Sequence, residues 1–528
     1  MASDGNKEKV APADLEGLPG DPIGVVFGNV GSNDFRCVLL DKEVKELDYV
    51  QVKHPTDGWV AGIIEKVELR SDLTHEGALM NLFGKGKEVT FKRVATISMI
   101  GARNERNVLS RPLTPILPSS RVFRPEPKFL EDTLGLVLDR AEGAYIGKIL
   151  NTDVDVVLSP SDLVQKHISI IAKSGSGKSY ACGVLTEELN RLNVPVVILD
   201  LHGEYRSLIG PNTDGEDYRR MERFGVKPKG LGKRLREFTF SDVDEVGEKP
   251  SPLGIDIRGF RAEELLELMG LKNIGYGTSV LYNALNKVTD ILGEDWEMYD
   301  LIAAVQTDNN PAKWNVLNGL EHLARLPFFR NTPTPLVEVV VPGKVTVIEL
   351  KDVPLDIQQV GVAALLRKLF SARKENVIPP FMLIVEEAHN FCPQSGPAIT
   401  SSVLRIIASE GRKFGLGLAI VSQRPAKVDK NVLSQCGTQI LLKVTNPNDI
   451  KAVIASFEGL DARMSDEIQN LPVAVAIVVG GSISTPVLVE VRTRHTRHGG
   501  DAVDILGEIG RRMKDRTRKG GLDLNTPD

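Results

Sequence analysis

The chain has 528 residues, more than one hydrophobic core ordinarily serves, so several domains are expected. Hydrophobic residues make up 42% and charged residues 26%, a globular composition that excludes wholesale disorder. The net charge of −5, from 65 basic and 70 acidic residues, excludes overall basicity as the means of holding a polyanion, so a local patch or lined channel has to do it.

Residues 1–20 are polar with interspersed Gly and Pro, and they read as a disordered N-terminus. Charges from Asp4 to Glu16 interrupt any apolar stretch, so no secretory signal is expected. No run of about 18 apolar residues occurs, so no membrane span is expected. Cys37, Cys182, Cys392 and Cys436 lie too far apart for a disulfide framework or a zinc site, which fits a cytoplasmic protein. Residues 21–101 carry short β-type runs, at Ile23–Phe27, Phe35–Leu40, Tyr49–Val52, Val60–Ile64 and Ala95–Ile100, separated by turn residues. That spacing predicts a small β-barrel. Residues 102–133, rich in Pro and Arg, read as an extended linker.

Beyond the linker the texture changes. Continuous apolar runs alternate with helical stretches, at Ile168–Ala172, Val194–Asp200, Val345–Leu350, Phe381–Glu386, Gly417–Gln423 and Thr438–Val444. Such runs predict parallel strands buried on both faces, an α/β core in two parts over 134–257 and 331–491. Between them, residues 258–330 read as a helical insertion, with apolar stripes at Leu281, Leu285, Val288 and Leu292 and at Leu317, Leu320 and Ala324. Residues 492–528 read as a basic tail, either a local patch for a polyanion or simply solvated, from Arg492, Arg494, His495, Arg497 and His498 to Arg511, Arg512, Lys514, Arg516, Arg518 and Lys519.

The strongest chemical signal is Ala172-Lys173-Ser174-Gly175-Ser176-Gly177-Lys178-Ser179, between an apolar run and a predicted helix from Tyr180 to Leu192. This is a phosphate-binding loop in its strand–loop–helix setting, with Ala172 where the first glycine usually stands. Gly175 and Gly177 let backbone N–H groups turn toward phosphate oxygens, Lys178 reaches the β- and γ-phosphates, and the Ser179 hydroxyl ligates Mg²⁺. Ser174, Gly175, Ser176, Gly177, Lys178, Ser179, Tyr180 and Asp200 form the expected ATP-binding set. Glu386 and Glu387 end a strand, where Glu386 would hold the Mg²⁺ hydration shell and Glu387 would polarise the attacking water. Asp200, His202 and Glu204 have metal-ligand side chains, though three within one turn is a weak pattern. Gln423 ends another strand, where it can sense the γ-phosphate.

Together these residues resemble the HerA family of hexameric DNA translocases, within the FtsK/HerA group of RecA-like ATPases. The resemblance is carried by Ala172–Ser179, by Asp200 with His202-Gly203-Glu204-Tyr205, and by Glu386-Glu387-Ala388-His389-Asn390-Phe391. It continues in Glu410-Gly411-Arg412-Lys413-Phe414-Gly415 and Ser422-Gln423-Arg424-Pro425, and it covers nearly the whole chain. Leu201 departs from the proline common there and touches no chemical group. The resemblance implies a RecA-like P-loop ATPase core with an N-terminal barrel and a helical insertion. It also implies a homohexamer using ATP and Mg²⁺, with Arg412 as the arginine finger given to a neighbour. Double-stranded DNA would pass through the pore, a NurA-type nuclease would be the partner in end resection, and no membrane would be involved. A conjugation- or secretion-type ATPase at a membrane is the alternative reading, and a non-motor ATP-binding scaffold a third. Lys427 and Lys430, three apart after Gln423, are the candidate residues for DNA phosphates.

Overall fold

The computed structural model describes residues 19–500 apart from 72, 74, 76–90, 105, 107, 137, 242–249, 272–274, 458, 461–463 and 482, together with residue 509. Most of the expected disordered N-terminus and the basic residues Arg511–Lys519 lie outside the described residues.

The first unit is built from β1 (Gly24–Phe27), β2 (Asp34–Leu39), β3 (Tyr49–His54), β4 (Gly58–Ser71), β5 (Phe91–Arg103), β6 (Leu109–Ser110) and β7 (Arg121–Phe123). Their order is β2-β1-β7-β3-β4-β5-β6, and a further pairing of β2 with β5 closes the ring into the expected barrel. Alternation drives this closure. In β2, Phe35, Cys37 and Leu39 are buried while Asp34 and Arg36 face water. One expectation needs correcting. Arg121–Phe123, inside the stretch read as linker, pairs antiparallel with both β1 and β3. Its buried Val122 joins the barrel core, and the prolines that suggested a linker flank the strand instead of interrupting it.

The core sheet comprises β8 (Ala144–Ile149), β9 (Asp155–Leu158), β10 (Ile168–Ile171), β11 (Val196–Asp200), β12 (Leu235–Thr239), β13 (Ser251–Pro252), β14 (Val345–Glu349), β15 (Phe381–Val385), β16 (Leu416–Ser422), β17 (Thr438–Leu441), β18 (Val475–Gly480) and β19 (Ile483–Val491). They run in the order β13-β12-β14-β11-β15-β16-β10-β17-β18-β19-β8-β9. From β13 to β17 every pairing is parallel, and from β17 to β9 every pairing is antiparallel. Every residue of β10, β11, β15 and β16 is buried, as the unbroken apolar runs required. The segment β17-β10-β16-β15-β11 has the RecA-like order and gathers the C-terminal ends of β10, β16 and β15 at one edge. The insertion forms helices Ala262–Leu268, Gly275–Leu292, Met298–Gln306 and Lys313–Ala324, with Leu281, Val288, Leu317 and Leu320 buried.

The reading of Arg492 and Arg494 as part of a solvated basic tail is overturned, for both are buried. The Arg492 guanidinium donates to Tyr145 O at 2.9 Å, Glu187 Oε2 at 2.9 Å and Glu188 Oε1 at 2.8 Å. Two carboxylates neutralise it and a carbonyl takes a further N–H, which is what lets a guanidinium remain charged away from water.

Candidate nucleotide site

The loop after β10 is held from beneath by its neighbours. The Ala172 N–H donates to Ser422 O at 3.3 Å, and the Lys173 N–H donates to Lys443 O at 2.8 Å. The Ser176 hydroxyl closes the curl by donating to Lys173 O at 2.7 Å. Gly175 and Gly177 have φ of +73° and +97°, which side-chain-bearing residues rarely adopt. No atom lies within 4 Å of where a Gly175 Cβ would stand, so the requirement there is conformational. Helix Lys178–Arg191 then starts with its free N–H groups at the loop.

Lys178 is buried and donates to Glu387 Oε1, while its Nζ lies 3.9 Å from Glu386 Oε1. The Gln423 amide, arriving from β16, donates to the same Glu387 oxygen at 2.6 Å. His389 Nδ1 stands 3.4 Å from Glu387 Oε2 and 3.3 Å from Ser422 Oγ. Glu387 has φ of +45°, a strained conformation for a residue with a side chain, and the tight turn aims its carboxylate at the loop. Burial opposes its charge, but Lys178, helped by Gln423 and His389, outweighs burial and holds the carboxyl below the ordinary range. His389 is pulled the other way: burial lowers its pKa and favours the neutral ring.

Glu386 is the opposite case. It is fully buried, and its Oε1 accepts from Tyr205 Oη at 3.2 Å and from Ser179 Oγ at 3.4 Å. Its Oε2 is buried without a hydrogen-bond partner. Burial pushes this carboxyl up to about 8 despite Lys178, with Asp200, Glu204 and Glu387 adding repulsion. Two adjacent carboxyls are thus driven apart in pKa, the pattern of paired groups given different roles.

Asp200 is taken up by its own turn. Oδ1 accepts the N–H groups of His202, Gly203 and Glu204 at 3.2, 2.9 and 3.2 Å, and Oδ2 accepts that of Tyr205 at 2.9 Å. This turn delivers Tyr205 to Glu386. Among the described residues no group of three or more His, Cys, Asp or Glu is placed to hold a metal, so the metal reading of Asp200, His202 and Glu204 is dropped. The Tyr180 hydroxyl donates to Asp217 Oδ2 at 2.7 Å and accepts the Arg494 N–H at 2.9 Å. Arg412 is exposed in the last turn of helix Thr400–Phe414, just before β16. The seven residues of β16 separate it from Gln423, about 20 Å along the sheet, so Arg412 lies at the edge opposite its own phosphate loop. Lys427 and Lys430 are exposed on the turn after Gln423, which is tied down by Gln394: its N–H donates to Lys427 O, and its Oε1 accepts the Lys430 N–H, both at 2.8 Å.

Tyr205 and His389 were in the sequence motifs but received no role there. Their signal was position beside charged residues, and their partners are set by strands far apart in sequence.

A phosphate loop on one strand, paired carboxylates on the strand next but one and an amide from the strand between them define a P-loop ATPase of the RecA-like class. Residues 144–369 match the family described as "Helicase HerA, central domain". This central region resembles HerA-type ATPases. The chain is 27% identical over 506 residues to the DNA double-strand break repair helicase HerA of Sulfurisphaera tokodaii, covering 92% of this chain and 96% of that one. It is 29% identical over 399 residues to the protein of the same name from Saccharolobus solfataricus, covering 72% of this chain and 75% of that one. Among solved structures, the bacterial conjugative coupling protein TrwB is 15% identical with a TM-score of 0.48, over 70% of this chain and 94% of that chain. No helix among the described residues is long and apolar enough to cross a membrane.

Proposed function

We propose that the protein is an ATP-driven, homohexameric double-stranded DNA translocase, working with a NurA-type nuclease in DNA end resection and recombinational repair. The observation that carries the ATPase part is Lys178 and Gln423 converging on one carboxylate oxygen of Glu387. The phosphates of ATP replace Glu387 as the partner of Lys178. The released Glu387 carboxylate takes a proton from the attacking water, and Gln423 is free to read the γ-phosphate. Ser179 and Glu386 fit Mg²⁺: hard oxygen donors come together, and the orphaned Glu386 Oε2 is left for the ion or its waters. Bound there, Mg²⁺ supplies charge neutralisation of the β- and γ-oxygens.

The exposed Arg412 supports a ring, since at the far edge of the sheet it can serve only another subunit's nucleotide. The exposed Lys427 and Lys430 support DNA, because their turn directly follows Gln423 and can move with the state of the γ-phosphate. The similarity to double-strand break repair helicases supports duplex DNA as the track. ATP hydrolysis measured with and without linear duplex DNA, alongside particle mass, tests the reading. Six-subunit particles with DNA-stimulated hydrolysis are expected. A monomer that ignores DNA would overturn it.

A further inference from the structure

Beyond β19, residues 492–500 form a strap that the nucleotide chemistry described so far leaves unused. Its backbone is bound along its length. Thr496 makes an antiparallel bridge with Pro211, His495 O accepts the Asn212 and Lys229 N–H groups at 2.9 and 2.8 Å, and the Arg497 N–H donates to Gly210 O at 2.9 Å. The strap also grips the phosphate-loop helix: a Cβ on Gly183 would stand 2.6 Å from Arg494 Cζ, so only glycine admits the guanidinium.

At the start of that helix the strap gathers an aromatic pair. Tyr180 and His498 meet edge-on, with ring centroids 5.5 Å apart and planes at 66°. Arg494 fixes both. Its N–H reaches Tyr180 Oη at 2.9 Å, its Nη1 lies 3.1 Å from His498 Nδ1, and its Cζ stands 5.9 Å from the Tyr180 ring centre. Beside them is an unused acceptor, the buried Glu204 Oε2, which has no hydrogen-bond partner. A Cβ on Gly500 would stand 3.0 Å from His498 Nε2 and 3.2 Å from Glu204 Oε2, so the strap folds back to place ring and carboxylate side by side.

Tyr180 immediately follows Ser179 in the first helical turn, where the free N–H groups meet phosphate. A nucleotide whose phosphates fill the loop carries its ribose and base outward past this turn. A base needs flat, polarisable surface and acceptors for its donors, and phosphate needs neither. We propose that the strap Arg494–Gly500 builds the nucleoside side of the ATP site, with His498 and Tyr180 packing on the base. This rests on the ATPase reading.

The test is equilibrium binding of ATP and of inorganic tripolyphosphate, both with Mg²⁺, to the full chain and to His498→Ala and His498→Phe. His498→Ala should weaken ATP about tenfold and leave tripolyphosphate unchanged, while His498→Phe, which keeps a ring, should stay within about twofold of the parent. Equal weakening of both ligands would reduce the strap to a prop for the loop and overturn the proposal, as would unchanged ATP affinity in His498→Ala. If the parent protein fails to bind tripolyphosphate, the phosphate-loop reading itself fails and the base site falls with it.

Discussion

The helix Lys178–Arg191 has a cluster of buried charge at each end, and the two are built in opposite ways. Toward its C-terminal end, Glu187 and Glu188 hold Arg492, and every guanidinium nitrogen of that arginine finds an acceptor. Glu187 gains further donors from the Thr496 N–H at 2.9 Å and the Thr496 hydroxyl at 2.6 Å. At its N-terminal end, Lys178 meets Glu386 and Glu387, where the Oε2 atom of each carboxyl has no hydrogen-bond partner and Glu387 sits on strained backbone. A buried network with its hydrogen bonds made fixes the fold, and a buried network left incomplete is waiting for a ligand. Composition does not separate the two; satisfaction does.

The sharpest way to break this comparison is to unbalance the complete cluster. Arg492→Ala leaves Glu187 and Glu188 buried without their cation and should destabilise the protein by about 3–5 kcal/mol, seen as an earlier unfolding transition in denaturant. The cluster should also be acid-sensitive. Burial works against the Glu187 charge, but Arg492, Arg494 and Thr496 outweigh it and hold its carboxyl below the ordinary 4.5. A depressed folded-state pKa means that the stabilisation is whole above the unfolded value and is lost as pH falls through the folded one. Unfolding midpoints should therefore decline below pH about 4.5, and less steeply in Glu187→Gln. Equal slopes in the two proteins would place the acid-sensitive group elsewhere.

The incomplete cluster should respond in rate. Glu387→Gln should still bind ATP yet lose about 10²-fold or more in turnover, as expected when a general base is removed. A steady-state hydrolysis assay beside nucleotide binding checks this. If Glu386→Gln halts hydrolysis while Glu387→Gln does not, the roles of the two carboxylates are exchanged.

The contrast also explains what could be read in the sequence. The parallel strands were legible because two-sided burial writes itself as unbroken Val/Ile/Leu runs, and the phosphate loop because its geometry demands glycines at fixed spacing. β12 was not, since Leu-Arg-Glu-Phe-Thr near the sheet edge keeps polar side chains only partly buried. Arg492 read as solvated because its partner Glu187 is 305 residues away, and no local pattern announces a buried guanidinium. The left-handed turn at Glu387 was equally hidden: the sequence places two carboxylates at a strand end but cannot say which one the backbone turns toward Lys178.

Lys427 and Lys430 represent a third kind of charge, exposed and outside both clusters, and they carry the smallest expected effect. Neither should alter the unfolding transition, since solvated lysines contribute little to folding. If their turn meets DNA as it responds to Gln423, replacing both with Ala should leave basal hydrolysis intact and reduce its stimulation by duplex. Binding should weaken alike on all sequences, because a lysine paired with a phosphate reads no base. The slope of log affinity against log salt should flatten by about 0.9 for each DNA phosphate that is no longer neutralised. Titrations of duplex at several salt concentrations decide the matter. An unchanged slope would remove this turn as the track. The buried Arg492 and Arg494 could not take its place, because their guanidinium groups are already committed to Glu187 and Glu188.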